Sequence, residues 1–236
     1  MKPFLLLGTR DEDAAADNEY AAFLGFTGLD ESLLQRVRLE RRPMGTIDLD
    51  ELKSAVQRRV EGELHRLLDV VVARDFPFLG ACYGIGVVGT HQGGTVDRTF
   101  TEPISRVPVT LTDAGRTDEL LSDLPGVFEA FVGHKEAINR MPPHGVLLAS
   151  SPACPVQAFR VGRNVYATQF HPELDIHGLC TRIEVYKHAG YFEPHQAESV
   201  KAMARRGRVV EPPKILQRFV ARYASATPAP HGGAAA

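Results

Sequence analysis

The chain has 236 residues and a formal net charge of −2, and 44% of its residues are hydrophobic. This length is enough for one sizeable core, and the nearly neutral charge excludes a nucleic-acid partner held by bulk electrostatics. Because the chain contains no run of about 18 apolar residues, we expect neither a transmembrane helix nor a membrane partner.

Strand-like and helix-like segments alternate in the first half of the chain. The pattern predicts a buried strand at 3–8, a helix at 18–26, and a longer helix at 52–71 whose apolar residues recur every three or four positions. A buried strand at 76–81 follows, and a third helix starts at Tyr83. This alternation is typical of a parallel sheet covered by helices.

The second half of the chain has a different pattern. Short apolar runs separated by turn residues predict antiparallel strands, and Gly162-Arg163-Asn164 is typical of a hairpin loop. These predicted strands lie at 107–112, 127–132, 146–149, 156–161 and 165–169. Helical patterns return at 174–188, 194–205 and 211–223.

The sequence therefore predicts an α/β fold. We expect a flavodoxin-like parallel sheet with helices on both faces, an antiparallel extension and extra C-terminal helices. Without an internal repeat or a domain linker, the chain is interpreted as one domain over 1–226. The Pro-, Gly- and Ala-rich residues 227–236 predict a disordered tail.

The cysteines indicate a reducing compartment. Their odd number, at Cys82, Cys154 and Cys180, and the lack of a paired spacing argue against a disulfide framework. We therefore predict a cytoplasmic protein, where a thiol stays usable as a nucleophile. Cys154 and Cys180 are expected to be packing residues, since a lone cysteine is usually a small core side chain.

The most informative motif is Gly80-Ala81-Cys82-Tyr83-Gly84, directly after a predicted strand. A nucleophile between glycines at a strand-to-helix turn is typical of a nucleophile elbow. We expect Gly80 and Gly84 to remove side chains that would clash in the turn. The thiol would then lie at the helix N-terminus, where the helix dipole favours thiolate.

A base for this thiol is predicted at His171-Pro172-Glu173, after another strand-like run. Residues two apart in an extended chain point the same way, so Glu173 can hold one imidazole nitrogen while the other faces Cys82. We predict that Cys82, His171 and Glu173 form a catalytic triad with a thiolate–imidazolium pair.

These motifs resemble those of the triad (class-I) glutamine amidotransferases. Residues 80–84 are similar to the family's nucleophile region, and residues 168–173 are similar to its His-and-Glu segment. Residues 132–135 and 149–155 resemble segments of the glutaminase domain of GMP synthase. The resemblance covers residues 76–173 and is most specific in the two catalytic motifs.

The resemblance implies a mechanism and its substrates. Cys82 would attack the side-chain amide of glutamine to form a γ-glutamyl thioester, with His171 as the proton relay and Glu173 as its orienting group. Tyr83 would supply an oxyanion N–H, and Gly80, Gly84 and Gly86 would shape the pocket. Glutamine or a γ-glutamyl small molecule is the implied substrate.

We expect no metal and no cofactor, since His91, His177, His188 and His195 lack metal-ligand spacing. Without a synthetase domain or a Walker-type loop in this sequence, ammonia would pass to a separate synthetase subunit or be released.

Two departures from the family pattern leave alternatives open. The family usually has glutamine four residues after the nucleophile, where this chain has Gly86. Gln92 lies nearby in sequence and is predicted as a contact to substrate or partner. A strand and its glycine-rich oxyanion turn are missing near Leu52 to Ser54. Loss of one oxyanion donor costs on the order of 3 kcal/mol in the activation barrier.

Other functions therefore remain open beside glutamine hydrolysis. One is a γ-glutamyl peptidase or hydrolase acting on a small amide, which Gly86 favours. The other is a catalytically impaired binding or regulatory homologue. His134 is predicted as a contact to substrate or to the partner domain, with an inert loop histidine as the alternative. An α/β-hydrolase is disfavoured because its acid precedes its histidine.

Overall fold

The computed structural model describes residues 3–41, 62–188 and 192–224. The elements that build the elbow and its surroundings are β1 (Phe4–Gly8), α1 (Asp13–Thr27), β2 (Leu34–Arg38), α2 (62–73), β3 (Phe78–Ala81) and α3 (Tyr83–His91). The middle of the chain contains β4 (Thr95–Asp97), β5 (Glu102–Leu111), α4 (Asp113–Thr117), β6 (Val127–His134) and β7 (Ala137–Arg140). The remaining elements are β8 (Val146–Ser150), β9 (Ala158–Val161), β10 (Val165–Thr168), α5 (Ile176–Val185), α6 (Ala197–Arg205) and α7 (Pro213–Ala224).

A six-stranded sheet with the order β3-β10-β9-β8-β5-β6 lies at the centre. β10 runs parallel to β3, and the pairs from β10 through β9, β8 and β5 to β6 are antiparallel. β1 and β2 form a separate parallel pair, and β4 and β7 form an antiparallel pair. The predicted α/β fold, with its parallel strands, antiparallel extension and C-terminal helices, is confirmed.

Hairpin β9–β10 fits the sequence prediction closely. Val161 pairs with Val165, and the connecting residue Gly162 has a φ of 59°, in the left-handed region that glycine adopts most readily. A Cβ at Gly162 would also lie 2.5 Å from a carboxylate oxygen of Asp75. The carboxylate of Asp75 accepts the backbone N–H groups of Arg163 and Asn164, which fixes the loop against the start of β3.

The prediction of a buried first strand is wrong in part. Phe4 and Leu6 pack with α1 and α7 residues, but Leu5 is 55% exposed. Side chains alternate between the two faces of a strand, and helices cover one face of this pair. The sequence pattern does not predict β2, since three of its five residues are Gln35, Arg36 and Arg38, which are not typical of a strand.

Apolar side chains form cores on both faces of the central sheet. Leu68 of α2 and Val88 of α3 pack with Phe159 and Val165 of the sheet. A second core, which includes Phe128, Leu148 and Ile215 of α7, fills the space on the side of α4 and α7. Helix α1 contacts both α5 and α7, so the N-terminal helix is packed against the C-terminal ones.

Some predictions fall on residues that the structure leaves undescribed. These are the first part of the helix predicted at 52–71, the missing strand near Leu52 to Ser54, and the tail at 227–236. Residues 62–73 of that helix are described, and they are helical as predicted. Over the described ranges, no helix is both long enough and apolar enough to cross a lipid bilayer.

Candidate active site

Cys82 lies in a strained turn between β3 and α3. Its backbone has φ 52° and ψ −97°, a conformation that residues other than glycine rarely adopt. Strain of this kind is held in place by surrounding structure and clusters at functional sites. Cys82 caps α3, and its side chain is half-buried at the N-terminus of that helix.

The glycines beside Cys82 have different roles. A Cβ on Gly80 would lie 3.0 Å from the carbonyl carbon and oxygen of Gly84, so only glycine lets the helix approach the strand this closely. A Cβ on Gly84 would meet nothing within 4 Å. The expected clash therefore applies to Gly80, whereas Gly84 contributes its close backbone.

The parallel pairing of β3 with β10 brings Cys82 to His171. Ala81 and Thr168 are paired residues at the same edge of the sheet, and the Cys82 N–H donates to Thr168 O at 2.8 Å. His171 follows β10 directly, and its own N–H donates to Phe131 O on β6 at 3.1 Å. The two residues are therefore neighbours, and the His171 ring is close enough to lower the pKa of the Cys82 thiol.

Glu173 braces the other side of the imidazole. Its Oε1 lies 2.8 Å from Nδ1 of His171, and both side chains are nearly excluded from solvent. Residues 172 and 173 form a turn rather than a strand, so the two side chains meet through that turn. The structure thus brings together the three residues of the predicted triad.

A buried arginine, which the sequence did not single out, completes this arrangement. Arg182 of α5 donates through Nη2 to Glu173 Oε1 at 2.8 Å, and its Nη1 lies 3.0 Å from His171 Nδ1. The same guanidinium lies 3.4 Å from Glu19 Oε1 on α1, which also accepts from Arg10 Nε at 2.8 Å. Two carboxylates and two guanidiniums therefore alternate behind the imidazole.

These charges determine the protonation states. Burial raises the pKa of the Cys82 thiol, but the neighbouring His171 imidazole and its hydrogen bond lower it more, so the net pKa lies below the usual value for cysteine. Burial lowers the pKa of His171, but Glu173 and Cys82 raise it further, and the net pKa is raised. Both shifts favour a thiolate–imidazolium pair.

Glu173 remains ionised in this environment. Burial raises its pKa, yet His171 and Arg182 together bring the net pKa well below that of an ordinary glutamate. An ionised carboxylate only accepts hydrogen bonds, so Glu173 favours a proton on Nδ1 of His171. That tautomer leaves Nε2 of His171 to face Cys82.

The other predicted site residues lie at differing distances from this centre. Tyr83 begins α3 and is 36% exposed. Gly86 lies one turn later, where a Cβ would make ordinary contact with Val96 at 3.7 Å. Gln92 follows the far end of α3, where its Nε2 lies 2.7 Å from His91 Nδ1. Gln92 is therefore at the opposite end of the helix from Cys82.

His134 is buried at the end of β6. It is 4% exposed, and its Nε2 lies 2.9 Å from Glu102 Oε2. This burial does not favour the predicted contact with substrate or partner, and that role stays a prediction. The phenylalanine three residues earlier, Phe131, supplies the carbonyl that fixes the backbone of His171.

Comparison with known proteins identifies the family. The family model for class-I glutamine amidotransferases matches residues 56–178, slightly more than half of the chain. The match includes the segments of Cys82, His171 and Glu173 and ends before Arg182.

Curated relatives are similar over the same region. One subunit of the glutamine-hydrolysing GMP synthase of Methanobrevibacter smithii is 32% identical over 101 residues, which are 42% of this chain and 52% of that protein. The corresponding protein of Pyrococcus furiosus is 27% identical over 140 residues, or 55% of this chain and 73% of that one. The match thus spans about half the length of the first of these relatives.

Solved structures share the fold over nearly the full length. A glutamine amidotransferase from Thermotoga maritima has a TM-score of 0.67 at 16% identity, covering 96% of this chain and 100% of its own. One from Methylobacillus flagellatus has a TM-score of 0.63 at 16% identity and covers 94% and 95% of the two chains. At such low identity these structures establish the fold alone.

Proposed function

Because this chain belongs to the class-I glutamine amidotransferase family, we propose that it hydrolyses glutamine with Cys82 as nucleophile. The observation that carries this proposal is the placement of Cys82 beside a His171 ring that lowers the pKa of the thiol and that Glu173 holds from the other side at 2.8 Å. A nucleophile, a base and an orienting acid in contact are the requirements of covalent acyl transfer.

The first half-reaction releases ammonia. The Cys82 thiolate attacks the side-chain amide carbon of glutamine, and the electron pair of the C=O bond moves to oxygen. His171 then donates its Nε2 proton to the amide nitrogen as the C–N bond breaks. Ammonia leaves, and a γ-glutamyl thioester remains on Cys82.

Water completes the turnover. Neutral His171 takes a proton from water, and the hydroxide attacks the thioester carbonyl. Collapse of the tetrahedral intermediate breaks the C–S bond and returns the thiolate, so glutamine and water yield glutamate and ammonia. Glu173 stays ionised throughout and stabilises the imidazolium each time it forms.

The oxyanion of each intermediate would lie at the N-terminus of α3. The Tyr83 backbone N–H follows Cys82 in the first turn of the helix, where the helix dipole stabilises negative charge. The second donor that the family takes from a glycine-rich turn has no counterpart in the sequence near Leu52 to Ser54, and these residues lie outside the described ones.

A partner protein is the proposed destination of the ammonia. The relatives from Methanobrevibacter smithii and Pyrococcus furiosus are each named as one subunit of a glutamine-hydrolysing GMP synthase. We propose by similarity that this chain passes ammonia to a separate synthetase subunit.

Gly86 supports a second candidate, the hydrolysis of other γ-glutamyl amides. A glycine here removes the glutamine side chain that the family usually places four residues after its nucleophile. A Cβ at Gly86 would make ordinary contact with Val96, and the position offers no polar side chain to an amide substrate. A panel of γ-glutamyl amides of increasing size distinguishes the two substrates by kcat/KM.

The primary test is glutamine-dependent ammonia release by the purified chain, compared with Cys82→Ala. We expect ammonia and glutamate in equal amounts from the unmodified chain and none above background from the variant. Cys180→Ala is the matched control, because that thiol lies on α5, away from the triad. Equal ammonia release from the chain and from Cys82→Ala would remove the proposal. Release from neither would favour the catalytically impaired homologue.

A further inference from the structure

A second cluster of reactive side chains lies outside the triad. Glu102 begins β5 and pairs with His134 at the end of β6, while Cys154 lies in the connection between β8 and β9. These three residues are 3%, 4% and 0% exposed. One ligand atom from each lies within 4.8 Å of the other two, so a single ion could contact all three.

The polar atoms of this cluster are incompletely paired. His134 Nε2 lies 2.9 Å from Glu102 Oε2, but Nδ1 of the same ring is buried without a hydrogen-bond partner. Gln157, which is 0% exposed, donates through Nε2 to Glu102 at 2.7 Å, and its Oε1 is also buried without a partner. Buried polar atoms without partners are rare because they lose their hydration without replacement.

We propose that Glu102, His134 and Cys154 bind one divalent transition-metal ion, with zinc as the best match. Thiolate, imidazole and carboxylate are the three donors that zinc takes from proteins. Magnesium and calcium are disfavoured, since they prefer oxygen ligands only. The charges also balance, because a thiolate and a carboxylate together offset a divalent cation inside the protein.

Gln157 is the proposed fourth ligand. Without the metal, its Nε2 donates to Glu102 Oε2 and to Ser151 Oγ, and rotation of the amide would turn Oε1 toward an ion bound to Glu102. Ligand atoms in tetrahedral zinc sites lie about 3.5 Å apart, so the present cluster needs to contract only modestly. Ser151 Oγ, 3.3 Å from Glu102 Oε1, would hold the carboxylate from outside.

Metal binding would release a proton from Cys154. Without the metal, the thiol donates to Val156 O. The ion would replace that proton, forming a sulfur–metal bond and sending H⁺ to solvent, and binding should strengthen as pH rises. The bound ion would tie the β8–β9 connection to the adjoining ends of β5 and β6.

This cluster gives no sequence signal for a metal. Glu102, His134 and Cys154 come from three separate segments, with none of the close spacings that mark common zinc motifs. Only the sheet order, in which β5 lies between β8 and β6, brings these segments to one place.

Cobalt(II) binding to a single-cysteine protein tests the proposal. The double variant Cys82→Ala/Cys180→Ser keeps Cys154 as its one thiol and retains every proposed ligand. We expect one equivalent of Co²⁺ to bind, with a thiolate-to-cobalt charge-transfer band and a higher Tm with Co²⁺ or Zn²⁺ than without. His134→Gln should lose both signals, and His144→Gln, an exposed histidine, should keep them.

Each outcome of this titration is informative. Failure to bind Co²⁺, binding without the charge-transfer band, or a band unchanged in His134→Gln would each overturn the proposal. If His134→Gln does not fold, the single-cysteine protein still tests the proposal, since a thiolate-to-cobalt charge-transfer band in that protein can come only from Cys154. The assay uses no glutamine, so its result is independent of the proposed glutamine hydrolysis.

Discussion

Arg182 donates to Oε1 of Glu173 at 2.8 Å, and that same carboxylate oxygen lies 2.8 Å from Nδ1 of His171. The guanidinium therefore acts on the imidazole both through the carboxylate and directly, at 3.0 Å from Nδ1. Arg182 touches neither the thiol nor the proposed substrate position, and we assign it as a positioning residue.

Arg182→Ala should lower kcat for glutamine hydrolysis by about 100-fold with a smaller change in KM, since small displacements of a catalytic group have effects of this size. Arg182 also lowers the pKa of His171. Its removal should therefore move the alkaline limb of the pH–kcat profile to higher pH.

Both the fall in kcat and the shift of the alkaline limb are measured by steady-state rates of Arg182→Ala between pH 6 and 10. Arg206→Ala, at an exposed position, is the control. A purely structural role would lower the rates without moving the alkaline limb. An unmoved limb would thus contradict the assignment of Arg182.

The lowered pKa of Cys82 predicts thiol reactivity near neutral pH. In a Cys180→Ser background, iodoacetamide should alkylate Cys82 well below the pH at which an ordinary cysteine reacts, because His171 stabilises the thiolate. His171→Ala should slow alkylation at pH 7 by about tenfold or more and shift the pH profile upward. His177→Ala, an exposed histidine, should leave the profile unchanged.

Cys154 should remain unmodified in the folded protein, since it is 0% exposed. Alkylation rates that are the same with and without His171 would mean that the two side chains do not interact in solution.

Glu173 should make folding stability depend on acid pH. Its pKa is lowered in the folded state, so its contribution is fully present above the unfolded pKa of about 4.5 and is lost as pH falls toward the folded value. Glu173→Gln should reduce the free energy of unfolding at pH 7 by about 3–5 kcal/mol, because Arg182 and His171 lose a buried charged partner.

Below pH 4.5 the difference in unfolding free energy between the unmodified protein and Glu173→Gln should narrow. Urea unfolding at several pH values between 3.5 and 7 measures this difference. Glu31→Gln, at an exposed position, is the control and should follow the unmodified protein. A constant difference across this range would contradict the buried, ionised state of Glu173.

Gly80 and Gly84 should respond differently to alanine. Gly80→Ala places a Cβ 3.0 Å from the Gly84 backbone, and we expect a loss of about 1–3 kcal/mol in unfolding free energy as the strand and helix separate. Gly84→Ala meets no atom within 4 Å and lies in a helix, so it should leave stability nearly unchanged. Thermal unfolding of the two variants measures these changes. Equal losses of stability would show that the close approach of β3 to α3 at Gly80 is unimportant.

The parts of the site that have local sequence signals could be predicted. The Gly-x-Cys-x-Gly spacing predicts a tight strand–helix turn, and the structure has one, with φ 52° at Cys82. The spacing of His171 and Glu173 predicts their contact, although a turn rather than a strand produces it. The catalytic roles of all three remain predictions.

Residues whose role depends on packing could not be predicted. Arg182 is one of two charged residues in α5, and only the contact of α1 with α5 buries it between Glu19 and Glu173. In the sequence, Arg10 is likewise an ordinary charged residue after a strand. Its role is visible only in the structure, where Glu19 accepts its hydrogen bond. Long-range ion pairs leave no periodic signal in a sequence.

The most direct test of the central claim is covalent trapping with the glutamine analogue 6-diazo-5-oxo-norleucine, followed by peptide mass spectrometry. We predict one adduct per chain, located on Cys82, prevented by excess glutamine and absent in Cys82→Ala. Adducts on Cys180 alone, or no adduct in protein that is folded by circular dichroism, would contradict a glutamine-directed nucleophile at Cys82.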